Sequence, residues 1–195
     1  MNSEPIVIPR GDSDSFYFYL ADITTGTPVI TNVTDYTLIC SVKTQYELPD
    51  ENVVMTQKVS VLSATAGTGT VSSSSTTVTG SGSSFTTQVQ SGDLIISGTQ
   101  VRIVDVVTSD TVLTTKGLPS PDDLAVTIND SFSPALSSAS FSIVRPQVSF
   151  TKTDTDISFG DYVYDVKWLD DDGENPLTTN VGKFTISKNV SRKNS

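Results

Sequence analysis

Two stretches of this 195-residue chain alternate apolar and polar residues with a period of two, and a segment of quite different composition separates them. A period of two sends successive side chains to opposite faces of a β-strand. The first stretch runs from Ile6 to about Leu62. In it Phe16, Phe18 and Leu20 alternate with Tyr17 and Tyr19, and Tyr36, Leu38, Cys40 and Val42 share one face. A further strand is expected from Val53 to Leu62, with Met55, Val59 and Val61 on a common side. The second stretch runs from about Gln147 to Val190. Val148-Ser149-Phe150 opens it, Tyr162, Tyr164, Val166 and Trp168 oppose Val163, Asp165 and Lys167, and Val181 to Ile186 form the last strand. Met and Ala are sparse while Val, Thr and Ile are plentiful, a balance that favours strands. No segment sustains a helical period over the roughly 11 residues a helix assignment needs. The fold class read from these patterns is all-β. Residues 1–63 and 147–195 form one discontinuous β-sandwich, and residues 64–146 form an inserted domain.

The inserted segment is rich in Ser, Thr and Gly, and from Ser63 to Ser91 more than half of the residues are Ser or Thr. That composition suits a flexible linker, yet Val71, Val78, Phe85 and Val89 recur as apolar anchors. Downstream, Leu94-Ile95-Ile96, Val101 to Val107, Thr111 to Thr114 and Phe141 to Val144 are short apolar runs bounded by turn residues. Short strands at turn-bounded intervals predict a small β-barrel or β-sandwich. The connection from Lys116 to Pro134 is longer than the ~12–15 residues usual inside a compact domain, which makes it a candidate contact loop. Turns are expected at Asp22 to Pro28 and at Asp170 to Pro176, where Asp172-Gly173 is a strong hairpin signal. Ser191 to Ser195 form a polar tail that is expected to fray.

Chemistry is harder to place. The chain has no histidine, so Ser-His-Asp triads and His-based zinc sites are excluded, and its single cysteine excludes thiolate clusters and an internal disulfide. Cys40 reads as a buried small hydrophobe. Gly67, Gly69, Gly80 and Gly82 do not precede a helix carrying a Lys, so they read as turns and bulges rather than a phosphate cradle. Arg10-Gly11-Asp12 reads as a tight turn after a strand. Asp170 to Glu174 lack the ligand spacing of a calcium loop. Tyr162, following Gly160-Asp161 at the start of a late strand, fits the tyrosine corner of Greek-key sandwiches. We therefore expect no enzyme activity and assign no catalytic, cofactor-binding or metal residues; no cofactor is expected.

A formal net charge of −10 argues against nucleic acid as a partner. No apolar run approaches the roughly 18 residues of a membrane span, so no membrane insertion is expected. Met1 to Arg10 lacks the basic and apolar regions of a secretory signal.

The residues Ile8-Pro9-Arg10-Gly11-Asp12, the Phe/Tyr strand after them and the stretch Asp22 to Pro28 resemble the opening of the immunoglobulin-like domain that begins phage baseplate upper proteins. Gly160 to Val166, Asp172-Gly173, Gly182 to Ile186 and Val190-Ser191-Arg192 are similar to the end of that domain in many phage virion proteins. The resemblance covers about 1–62 and 147–192. Within the insert, Val78-Thr79-Gly80-Ser81-Gly82-Ser83-Ser84-Phe85 with Gly92-Asp93 resembles a small β-module of phage tail and fibre proteins. The resemblance implies an immunoglobulin-like β-sandwich carrying a phage-type insert. Its implied role is structural: a tailed-phage virion component, assembled in the host bacterial cytoplasm, that docks on other virion proteins and on copies of itself. Such domains usually continue into a larger tail or fibre polypeptide, whereas this chain ends soon after its last strand, which favours a compact accessory part. The expected place is the tail baseplate or a fibre-attachment region. A capsid decoration or cement protein is the rival reading. A host-surface carbohydrate-binding module is a third, and it needs an exposed aromatic platform from Tyr17, Tyr19 or Trp168.

Overall fold

The computed structural model describes residues 5–18, 36–49, 52–116, 131–169 and 177–188. They form two compact units, 5–18 with 36–61 and 147–188, and 62–146. In the first unit the strands before the insert are β1 (Ile6–Pro9), β2 (Asp14–Tyr17), β3 (Thr37–Lys43) and β4 (Lys58–Val61). The insert holds β5 (Thr65–Ala66), β6 (Thr70–Ser74), β7 (Thr77–Ser81), α1 (Phe85–Gln88), β8 (Leu94–Ser97), β9 (Gln100–Ser109), β10 (Val112–Lys116) and β11 (Ser142–Val144). The chain then returns through β12 (Gln147–Phe150), α2 (Lys152–Thr155), β13 (Gly160–Leu169) and β14 (Leu177–Ser187). Both helices are single turns, too short to leave a helical period in the sequence.

The first unit is a sandwich of a five-stranded sheet, in the order β1-β14-β13-β3-β4, and a two-stranded sheet of β12 and β2. β1 runs parallel to β14 and every other pair is antiparallel. The two apolar faces read from the sequence meet residue by residue, because Tyr164 pairs with Val42, Val166 with Cys40 and Trp168 with Leu38. All six side chains are buried. Directly opposed pairs on one face are the unit of sheet stabilisation. Aromatic contacts join the layers: Phe150 of β12 lies 5.2 Å from Phe184 of β14 and Phe18, just after β2, lies 5.9 Å from Tyr164 of β13, while Phe16 lies 6.1 Å from Phe150 within the smaller sheet. The Tyr162 hydroxyl donates to the Ser158 carbonyl at 2.7 Å, closing the corner that leads into β13.

One strand expectation fails. β4 is shorter than Val53–Leu62, and its valines face outward. Val59 pairs with Ile39 and Val61 with Thr37, the residues of β3 that alternate with buried Leu38 and Cys40. Val59 is 61% exposed and Val61 72%, while Met55 and Leu62 are buried. The side-chain period of a strand is two, so one residue of register decides which face a whole strand presents. Met55 escapes that parity because it precedes the strand.

The insert is a folded domain rather than a linker. Its seven strands form an antiparallel sheet in the order β5-β11-β8-β9-β10-β7-β6. The sheet closes on itself: the Gly67 amide donates to the Phe141 carbonyl at 2.9 Å, and Val71 and Ala139 exchange two backbone bonds of 2.8 Å. Closure removes the edge-strand liability of a small sheet. Val71, Val78, Phe85 and Val89 all enter the barrel core with Ile95, Val104 and Leu113. The Ser/Thr bias therefore decorates the alternate positions of genuine strands.

Candidate functional site

The sequence drew attention to several places, and the structure gives each described one a structural task. At Arg10-Gly11-Asp12 the Asp12 amide donates to the Pro9 carbonyl at 3.0 Å, and Gly11 has φ of 77°, which glycine adopts at no steric cost. The turn is held from both sides. Arg10 N–H donates to the Ser187 carbonyl at 3.0 Å, the buried Thr155 hydroxyl donates to the Asp12 carbonyl at 2.5 Å, and the Arg10 guanidinium meets the Asp156 carboxylate at 2.9 Å.

α2, which supplies Thr155, is fixed by a capping box in which Thr151 and Asp154 bond reciprocally. Asp154 also accepts from the Lys58 ammonium. Burial pushes the Asp154 carboxyl up, but the hydrogen bonds from Lys58 and Thr151 outweigh it and hold the group below its ordinary value. Lys58 thereby ties β4 to the corner after β12.

Cys40 is buried, and its thiol is pushed up to about 12 by burial, with Asp165 adding to the rise and Lys58 opposing it. It is a protonated core residue at neutral pH, without the thiolate that reactivity requires. Trp168 is fully buried beside Tyr36, at 6.0 Å between rings, and Tyr17 is half-buried. Trp168 is therefore lost to an aromatic platform, and Tyr19 lies outside the described residues. The expected turns at 22–28 and 170–176, most of the 116–134 connection and the tail 191–195 also lie outside the described residues. The last part of that connection is an anchor: Phe132 is buried in the barrel core, with the Arg102 guanidinium 5.3 Å from its ring centroid and donating to the Ser131 carbonyl at 2.8 Å.

The insert motif around Gly80 builds a clamp. The Ser83 hydroxyl and the Phe85 amide both donate to the Asp110 carbonyl, at 2.7 and 3.1 Å, and the Gly80 amide donates to the Thr111 carbonyl at 2.8 Å. The motif thus grips the tip of the β9–β10 hairpin. Gly92-Asp93 has a comparable task. The fully buried Asp93 carboxylate takes two bonds of 2.7 Å from Arg145, the fork geometry that makes such pairs strong.

Sequence reasoning missed one pair. Asp165 alternates with core residues and was expected in the strand's outward set. It does face away from the core, yet its side chain is only 5% exposed and meets the Lys43 ammonium, 4% exposed, at 2.8 Å. Cross-strand from Asp165, the fully buried Ser41 hydroxyl accepts from Gln57 at 2.9 Å. The alternation shows the facing direction of Asp165 but not its partner Lys43 at the end of β3, where the segment before β4 continues the ladder through the Val54 amide and the Val42 carbonyl.

Among the described residues no group of three or more His, Cys, Asp or Glu could hold a metal ion, and no helix is long and apolar enough to cross a membrane. An open groove of about 650 Å³ runs past Ser13, Asp14, Ser15, Ser149, Thr151 and Lys152. Its Ser15 and Ser149 hydroxyls bond each other at 2.8 Å.

The remaining feature is the edge of the five-stranded sheet. β4 ends the sheet with Val59 and Val61 exposed, and the rows Val61–Thr37–Leu169 and Val59–Ile39–Lys167 continue that surface inward across β3 and β13 with half-exposed side chains. At the opposite edge Val7 of β1 is 53% exposed. The exposed valines of β4 therefore form an apolar patch on the outer face of the sheet, at its edge. Neither a family, nor a curated protein, nor a solved structure matches the chain.

Proposed function

We propose that this chain is a non-enzymatic structural component of a tailed-phage virion, an immunoglobulin-like domain with an inserted barrel that docks on neighbouring virion proteins from the tail baseplate or fibre-attachment region. The observation that carries the docking is the β4 edge, where two valines stand exposed on the outer face of the five-stranded sheet. Strand addition to such an edge takes its affinity from main-chain bonds and its specificity from alternate side chains. The immunoglobulin-like reading draws support from the strand order. β4-β3-β13-β14 follows the C′-C-F-G order of that fold, β2-β12 follows its B-E pair, and the Tyr162 bond to Ser158 fits its tyrosine corner. On that correspondence the insert occupies the place between strands C′ and E. The phage attribution rests on the sequence motifs set out above.

The test is incorporation into virions of a Val59→Lys/Val61→Lys variant. Both side chains are exposed, so the purified variant should melt within a degree or two of the parent, while its copy number per particle should fall at least tenfold. Parental incorporation of a folded variant would remove the edge from the proposal. The parental copy number decides the location: a few to a few dozen copies fit the tail, and hundreds would overturn it in favour of capsid decoration.

A further inference from the structure

We draw no further inference here: the strongest candidate, the apolar surface that Val59 and Val61 form with Ile39 and Leu169 at the β4 edge of the five-stranded sheet, belongs to the docking edge already described, and nothing in the structure shows what covers it.

Discussion

Lys43 and Asp165 show how a single buried pair can matter to a domain without serving any chemistry. Each charge was taken out of water at a cost of several kcal/mol, and the other offsets it only while both are present. Removing one partner strands the second, so Lys43→Ala or Asp165→Ala should each destabilise the first unit by about 3–5 kcal/mol. A Lys43→Met/Asp165→Leu double replacement should recover most of that loss, since an apolar pair carries no desolvation cost. Urea denaturation of the three variants checks this, and a double variant as unstable as the singles would show that the charge pair is not the source of the effect. Asp154 makes a second, pH-dependent contribution. Its folded pKa lies below the ordinary 3.8, so its stabilisation is fully present above that value and is lost as the pH falls through the folded pKa. Asp154→Asn should therefore flatten the decline in the urea midpoint between about pH 5 and pH 2; an unchanged slope would mean other carboxylates dominate acid unfolding.

At the scale of elements, legibility followed whether the burying partner was implied by local alternation. Leu38, Cys40 and Val42 on β3 and Tyr164, Val166 and Trp168 on β13 were readable because each strand announces one apolar face, and those faces meet. The anchors Val71, Val78, Phe85 and Val89 were readable through a Ser/Thr background for the same reason, and all are buried. The facing of β4 was not readable, since its two valines mark the solvent side of an edge, and edges are where hydrophobicity ceases to indicate the core. The burial of Asp165 was hidden too, because its partner Lys43 lies on another strand far away in the chain. The β4 edge was thus legible as a strand and illegible as a surface. The Gly80 clamp gives an element-scale prediction. A Cβ there would lie 2.0 Å from the Ser83 hydroxyl that holds the hairpin tip. Gly80→Ala should displace Ser83 and cost the insert about 1–3 kcal/mol through overpacking, read as a lower melting temperature of the barrel. An unchanged melting temperature would show that Ser83 swings aside freely.

The whole molecule is organised by one topological fact, that the insert's two ends are neighbours. Thr65 of β5 pairs with Ile143 of β11, so the chain enters and leaves the barrel side by side. In the first unit β4 and β12, the strands flanking the insertion, are also in contact. Insertions are tolerated where both sets of ends are close, because neither unit is then stretched to accommodate the other. Each unit also holds a sheet and a buried core of its own. Residues 62–146 expressed alone should therefore fold, with a β-type circular dichroism spectrum and a single cooperative thermal transition, as small single domains usually show. The rim ion pair Asp93–Arg145 lies wholly within that span, so excision leaves it intact. A chain that stayed unfolded in isolation would mean that the barrel depends on residues outside 62–146. Cooperative folding would instead allow the insert to be tested by itself for the proposed docking, which the proposal places in the first unit and not in the barrel.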